Sequence, residues 1–268
     1  MFEARIQELA ARRREAASRL GLFDANLWLG RPQGFPLADE FDVAALRGAM
    51  AEHFIAGGLV SHWRGKTVSP QEGNAALQAM GQELAAAGLH VIMTGLPLVR
   101  PEVGPLPGQG EPHPRTRGVR VFPKTHGFPL TPWCAGTLCE WLVARRLPLF
   151  VWHTELDWGE LRDLARQLPD LSIVVESQPR KIIYQARPLF ALMNDCPNVF
   201  LEISNLTGPC FDLALGSFGP ERLIFGSFMP VGDPFVPSGL ILDAAMSDAD
   251  RALVAGGNLR RLIDEGTP

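Results

Sequence analysis

Eight short apolar segments alternate with stretches of helical character, and this alternation limits the fold more than any other feature of the sequence. The apolar segments, which we predict to be strands, span residues 22–30, 57–62, 90–98, 118–124, 148–154, 171–177, 199–204 and 223–228. The predicted helices span residues 43–53, 69–87, 131–146, 157–168, 180–194 and 210–218, and two more begin near 238 and 247. Strand–helix alternation over roughly 250 residues is typical of an α/β fold, a single (β/α)8 TIM barrel.

A doubly wound open sheet is the alternative arrangement of alternating strands and helices. That fold has a glycine-rich first turn of the form GxGxxG, which binds a dinucleotide phosphate. The turn after the first predicted strand reads Gly30-Arg-Pro-Gln-Gly34, which does not have this spacing. The sequence therefore favours the barrel.

Two segments depart from the barrel pattern. An amphipathic helix is predicted over residues 2–19, with Phe2, Ile6, Leu9 and Ala10 at helical spacing, so we expect an N-terminal helix, residues 1–20, before the barrel, residues 21–268. This helix is expected to cap the barrel or to pack against a partner, which leaves a homo-oligomer open. The proline-rich segment 99–118 excludes a regular helix and predicts a degenerate third helix that folds over the pocket.

Composition excludes several classes of protein. The formal net charge of −4 gives no sign of a nucleic-acid surface. No apolar run approaches the roughly 18 to 20 residues of a membrane helix, and the charged N-terminus does not resemble a signal peptide. The cysteines lack CxxC spacing, which favours reduced thiols over a zinc ribbon or a disulfide framework. We expect a cytoplasmic protein with no nucleic-acid or membrane partner.

The first predicted strand, Leu22-Phe-Asp-Ala-Asn-Leu-Trp-Leu-Gly30, alternates in a distinctive way. Asp24, Asn26 and Trp28 occupy every second position, so they are expected to face one side of the sheet. The strand resembles the opening Asp-x-His-x-His-x-Gly strand of the amidohydrolase-related branch of the metal-dependent hydrolase superfamily, with Asn26 and Trp28 in place of the histidines. Further resemblances occur in order at residues 118–123, 147–152, 168–175, 218–230 and 256–262.

The resemblance implies a barrel with a divalent metal at its C-terminal mouth, held by histidines and an aspartate on strands one, five, six and eight. The matching positions in this chain are Asn26, Trp28, Trp152, Ser177 and Phe228. Tryptophan offers only an N–H donor, phenylalanine offers nothing, and the neutral oxygens of asparagine and serine bind divalent metals weakly. The sequence therefore predicts that the metal chemistry is lost and that no cofactor is bound. These five residues become candidates for ligand binding.

The candidate catalytic residues lie at the predicted strand ends, where the mouth of a barrel is built. They are His62, Lys124, His126, His153 and Glu155. His153 lies one residue beyond its expected place, so it rejoins the site only through a bulge and is otherwise structural. Lys124 is a base, a Schiff-base amine or a carboxylate clamp, or else a surface lysine. Glu155 orients His153 or caps the following helix.

Two functions from different classes follow from these residues. One is a hydrolase or lyase that acts on a small carboxylate or lactone without the usual metal. The other is a catalytically inactive barrel that binds a small molecule or a protein partner. A pocket that holds a histidine with a shifted pKa beside a carboxylate favours the enzyme. A mouth that Trp28, Trp152 and Phe228 fill favours the inactive barrel.

Overall fold

The computed structural model describes residues 2–33, 40–97, 113–180 and 182–264. Eight parallel strands follow one another around a single sheet in chain order, each paired with the next. They are β1 Leu22–Leu29, β2 Ile55–His62, β3 Leu89–Thr94, β4 Thr116–Val121, β5 Leu149–Trp152, β6 Ile173–Glu176, β7 Val199–Glu202 and β8 Leu223–Ile224. The TIM barrel is therefore confirmed. The predicted loop over the pocket lies largely outside the described residues, because 98–112 are not among them.

The barrel closes between its last and first strands through the chain that follows β8. Strand β8 holds only two residues, where the sequence predicted six. The backbone beyond it still bonds to β1, since Ala25 N–H donates to Phe225 O at 3.0 Å and Trp28 N–H to Met229 O at 2.9 Å. Asp24 adds a side-chain link, accepting from Ser227 N at 3.1 Å.

Helices connect the strands on the outside of the barrel. They are α1 Phe2–Arg19, α2 Val43–Glu52, α3 Arg64–Thr67, α4 Pro70–Ala79, α5 Gly81–Ala86, α6 Pro123–His126, α7 Pro132–Ala144, α8 Trp158–Gln167, α9 Ala186–Asp195, α10 Gly208–Phe218, α11 Phe235–Asp243, α12 Asp248–Ala252 and α13 Asn258–Asp264. Several begin where the sequence predicted, because a side chain there accepts from the free N–H groups of the first turn. Ser69 caps α4 in this way and Asp157 caps α8.

The N-terminal helix α1 packs against α11. An ion pair joins Arg13 to Asp243, and Ala17 is buried. The helix thus lies on the closing segments of the chain, although the division of the chain at residue 20 stays a prediction. Nowhere in the described part of the chain is a helix long and apolar enough to cross a membrane.

The barrel interior consists of three layers, of which the lowest is apolar. Its residues come from seven strands and from α13, which covers the N-terminal end, and they are Phe23, Ala25, Leu59, Ile92, Phe150, Val174, Phe200, Ile224, Leu259, Leu262 and Ile263. On β4, Gly118 faces the same layer, because a Cβ atom there would lie 2.5 Å from Phe150. A polar layer and an aromatic layer follow towards the C-terminal mouth.

The first strand departs from the predicted alternation at one end. Asn26 and Trp28 face the interior as expected, but Phe23 and Ala25 also contribute to the lower layer. The pairing register between β1 and β2 is irregular between Asp24 and Leu27. Because of this irregularity, Phe23 and Ala25 can face the interior as well as Asn26 and Trp28. The prediction that Asp24 faces the same side of the sheet as Asn26 and Trp28 therefore does not hold. Its carboxylate instead joins β1 to the chain after β8.

Candidate functional site

Five aromatic side chains fill the C-terminal mouth of the barrel, and we call them the aromatic plug. They are Trp28, Trp63, Phe122, Trp152 and Phe228, and each is at most 2% exposed. The ring centroids of Trp28 and Trp63 lie 4.5 Å apart, and those of Trp28 and Trp152 lie 5.5 Å apart. These two pairs are tilted, whereas Phe122 and Phe228 each meet Trp152 edge-on, and aromatic contacts of both kinds give a well-packed cluster. The plug leaves these five positions no room for a ligand among them.

The structure brings together the three aromatic residues that the sequence singled out. Trp28, Trp152 and Phe228 contact one another, and the centroids of the last two lie 5.7 Å apart. Of the two interpretations of these residues, the structure shows the filled cavity and not an open stacking pocket. Phe228 has φ of +61°, a conformation that costs free energy for a residue with a side chain. The packing of its ring in the plug stabilises that backbone.

Sequence reasoning missed Trp63 and Phe122. Each lies two positions beyond an inward-facing residue of its strand, Ser61 on β2 and Arg120 on β4. Continuing the period of two past the strand ends would have predicted that both rings point into the mouth.

Beneath the plug lies a polar layer around Arg120, which the sequence analysis also missed. Its guanidinium donates to both oxygens of Glu176, at 2.9 and 2.5 Å, and both side chains are 0% exposed. It also donates to Ser61 Oγ at 2.5 Å and to Asn26 Oδ1 at 3.3 Å. The candidate binding residue Asn26 is thus committed to the interior, since its Oδ1 also accepts from Trp28 Nε1 at 2.7 Å.

A second buried acid, Glu202 on β7, completes the polar layer. It accepts from Ser204 N at 2.8 Å and from Ser177 N at 3.1 Å, and both serine hydroxyls also lie within hydrogen-bond distance. Burial, reinforced by the charge of Glu176, raises the pKa of Glu202 to about 8. Burial likewise raises the pKa of Asp24 to about 6. The candidate binding residue Ser177 therefore hydrogen-bonds to the carboxyl group of Glu202, which is largely protonated near neutral pH.

An ion pair lies on the outer face of the plug, and we call it the rim pair. Lys66 Nζ lies 2.8 Å from Glu155 Oε1, and it is 4.9 Å from the ring centroid of Phe122 and 5.1 Å from that of Trp152. Thr125 donates to Glu155 from its backbone N–H at 2.8 Å and from its hydroxyl at 2.7 Å. Burial works to raise the pKa of Glu155, but the bonds from Lys66 and Thr125 outweigh it and lower that pKa.

Glu155 neither orients His153 nor caps the following helix, the two roles that the sequence suggested. Its carboxylate bonds to Lys66 and Thr125, while His153 bonds elsewhere and Asp157 caps the following helix. Lys66 itself escaped the sequence analysis, because it lies in the short helix α3 and not at a strand end.

The three candidate histidines are placed differently. His153 starts a 3-10 turn beyond β5, and its ring nitrogens lie 3.1 Å from Gln185 Oε1 and 2.8 Å from Arg180 O, which fits the structural interpretation. His62 accepts from Arg64 N at 3.2 Å, and burial with the charge of Arg64 lowers its pKa to about 4. Burial also lowers the pKa of His126, whose Nε2 lies 3.3 Å from Lys66 O. All three pKa values are thus below the ordinary one.

Lys124 is the one candidate base that faces solvent. Its ammonium donates to the carbonyl of Thr154 at 3.1 Å, at the outer edge of the mouth. The structure therefore places Lys124 and His126 on the rim next to Glu155. The His62 ring accepts from the backbone of its own loop, and the His153 ring bonds to Arg180 and Gln185 in the segment after β6.

The described side chains at the mouth do not form a site that fits a divalent metal. Within residues 2–33, 40–97, 113–180 and 182–264, no group of three or more His, Cys, Asp and Glu side chains is arranged to hold one. Trp28, Trp152 and Phe228 offer no lone pair to a metal. Asn26 Oδ1 already accepts from Trp28 and Arg120.

Comparison with solved structures shows the same fold in several bacterial proteins. An amidohydrolase from Burkholderia multivorans with bound zinc has a TM-score of 0.70 and 17% identity, over 91% of this chain and 99% of that one. Amidohydrolase 2 from Bifidobacterium longum subsp. infantis has a TM-score of 0.66 and 17% identity, over 91% and 98%. The 2,6-dihydroxybenzoate decarboxylase from Rhizobium has a TM-score of 0.63 and 14% identity, over 92% and 99%.

Sequence comparison identifies the family. Curated proteins gave no match to this chain. The sequence model of the family described as amidohydrolase matches residues 111–264, which is more than half of the 268 residues. The match includes β4 to β8, and with them Arg120, Glu176 and Glu202 of the polar layer and three of the five plug residues. The chain thus belongs to the amidohydrolase family.

Proposed function

We propose that this member of the amidohydrolase family binds a small carboxylate at the rim of the barrel and works without a divalent metal, as a binding protein and not as a hydrolase or lyase. The aromatic plug carries the proposal. Five rings, each at most 2% exposed, occupy the mouth in which a barrel enzyme holds its reacting groups. Neither a metal nor a substrate can share that volume with them.

The chemistry of the rim supports a carboxylate as the ligand. Lys124 presents an exposed ammonium group, which suits a carboxylate as a point charge. Lys66 is already paired with Glu155 and contributes only a partly screened field. Among proteins with the same fold, the Rhizobium decarboxylase is named for an aromatic carboxylate. A planar acid could lie on the rim with its carboxylate on Lys124.

Isothermal titration calorimetry tests this proposal. We would measure the affinity of the protein for a panel of aliphatic and aromatic carboxylates in buffer that contains a chelator. We expect at least one acid to bind in the chelator and to lose most of its affinity in Lys124→Gln. The control Arg5→Gln, which removes an exposed charge from helix α1, should bind like the native protein. If no carboxylate binds, or if Lys124→Gln binds as well as the control, the proposal is wrong.

His126 favours one other function, a metal-independent hydrolase or lyase. Its Nδ1 is buried without a hydrogen-bond partner among the described residues, and Glu155 and Lys66 lie beside it. A histidine of lowered pKa beside a carboxylate can act as a general base. Hydrolysis of simple lactones, for which His126 would take the proton of the attacking water, that is abolished in His126→Gln would support a hydrolase and contradict the binding protein.

A further inference from the structure

Arg120 occupies the axis of the barrel between the aromatic plug and the apolar layer. Its side chain leaves β4 with 0% exposure. The guanidinium carbon lies 4.5 Å from the ring centroid of Trp28 above and 5.8 Å from that of Phe150 below. Two aromatic rings therefore lie within cation–π distance of the guanidinium, and such contacts stabilise a desolvated cation.

The edge of this cation is surrounded by oxygen atoms from three strands. Glu176 on β6 supplies both carboxylate oxygens, and Ser61 on β2 supplies its hydroxyl. On β1, the Asn26 side chain lies at 3.3 Å and the Ala25 carbonyl at 3.5 Å. Oxygen atoms are the ligands that hard cations prefer in proteins. The barrel thus places a shell of oxygen ligands from four residues around the positive charge.

The charges in this layer depend on that cation. Glu176 bonds to Arg120, Glu202 lies within the influence of the Glu176 charge, and the charge of Arg120 acts on the buried carboxyl group of Asp24. Glu202 already has four hydrogen-bond donors from Ser177 and Ser204. Glu176 depends on the guanidinium, because its two oxygens accept from Arg120. Without Arg120, the shell would hold an uncompensated carboxylate.

We propose that the barrel interior contains a cation site, formed by Ala25, Asn26, Ser61 and Glu176, which the chain fills with its own guanidinium. This explains why the residues at the mouth need not supply metal ligands, since the central positive charge is covalently part of the protein. The inference goes beyond the proposed binding function and does not require a ligand at the rim.

Emptying the site tests the proposal. Arg120→Ala removes the guanidinium and leaves the oxygen shell, so after dialysis against Mn²⁺ we expect about one ion per chain by elemental mass spectrometry. Electron paramagnetic resonance should show that the ion is immobilised. Two controls should bind none: Arg120→Met, which fills the space with an apolar chain, and the double variant Arg120→Ala with Glu176→Gln, which removes the carboxylate. A folded Arg120→Ala protein without Mn²⁺ would overturn the proposal.

A second pair of variants decides the matter if Arg120→Ala does not fold. Arg120→Lys keeps a positive charge in the shell, whereas Arg120→Met has a similar length and none. We expect the melting temperature of the lysine variant to be higher by about 5 °C or more. Equal melting temperatures would show that the shell does not require a cation. Neither outcome bears on carboxylate binding by the native protein, so the two proposals fail separately.

Discussion

The interior pair Arg120–Glu176 and the rim pair Lys66–Glu155 have the same chemistry at two depths. Both interior side chains are 0% exposed, while those of the rim pair are 16% and 8% exposed. In the interior, burial dominates and raises the pKa of Glu176 against the opposing charge of Arg120. At the rim, the bonds from Lys66 and Thr125 dominate and lower the pKa of Glu155. A small difference in exposure therefore reverses the balance between desolvation and pairing.

This difference separates the roles of the two pairs. An interior charge that loses its partner has no access to water, whereas Lys66 can be hydrated in part when Glu155 is gone. The interior pair is thus part of what holds the barrel together, and the rim pair covers the outer face of the plug. A glutamate-to-glutamine substitution at each site should therefore lower the free energy of unfolding by different amounts, more in the interior than at the rim.

The largest effect is expected for Glu176→Gln. The change keeps the shape of the side chain and leaves the Arg120 guanidinium uncompensated at 0% exposure. We expect a loss of about 3–5 kcal/mol in the free energy of unfolding, measured by urea denaturation monitored by circular dichroism. A loss smaller than that of Glu155→Gln would contradict the view that the interior pair contributes more to stability than the rim pair.

The next effect is a dependence of stability on pH through Glu202. Its pKa is raised to about 8 in the folded chain from an ordinary value of 4.5, so the folded state binds the proton more tightly. Its contribution to stability is full below about pH 4.5 and is lost as the pH rises to about 8. Relative to the native protein, Glu202→Gln should therefore gain stability over that window, by roughly 2–4 kcal/mol. Parallel pH profiles of native and variant unfolding would show that Glu202 is ionised in the fold.

A smaller effect is expected for Glu155→Gln at the rim. The amide keeps one acceptor for Thr125 and Lys66, and Lys66 keeps its contact with two aromatic rings. We expect a loss of about 1–2 kcal/mol in the same urea experiment. Because the pKa of Glu155 is lowered, this loss should shrink as the pH falls below its ordinary pKa of 4.5 and through the lowered one. A loss that persists at low pH would show that packing and not charge is responsible.

The smallest effect is expected at the surface, where Arg12 and Glu8 form a pair on α1 with side chains that are 73% and 52% exposed. Water competes with such a pair, and Glu8→Gln should change the free energy of unfolding by no more than about 0.5 kcal/mol. This variant is the control of the series, since the substitution is identical and only the depth differs. A cost at Glu8 as large as that at Glu155 would show that exposure does not govern the order.

The fold could be predicted from the sequence because its signals are local. The Ser69 and Asp157 caps and the apolar strands act within a few residues, and the structure places helices and strands there. Trp28, Trp152 and Phe228 could be assigned to the mouth because they end strands that resemble a known family. The length of β8 was overestimated: the sequence predicted six residues, but the strand has two. The chain after it bonds to β1 without strand pairing to β7.

The site could be predicted only in part because its contacts join distant parts of the chain. Arg120 and Glu176 are 56 residues apart and meet only across the closed barrel. A charged residue at an inward position of an apolar strand was the available signal for each of them. Lys66 and Glu155 meet through a short helix and a 3-10 turn beyond the strand ends, whose positions no periodicity encodes. Period-two patterns thus reveal which residues face inward, but not which of them bond.

Elemental mass spectrometry of the native protein, purified without added metal or chelator, tests most directly whether the plug and the guanidinium have replaced a metal. We expect only background zinc and manganese, and a melting temperature that neither a chelator nor added Zn²⁺ or Mn²⁺ changes. Near-stoichiometric metal, with a melting temperature that falls on chelation, would contradict a mouth filled by Trp28, Trp152 and Phe228 and a barrel whose central cation is Arg120.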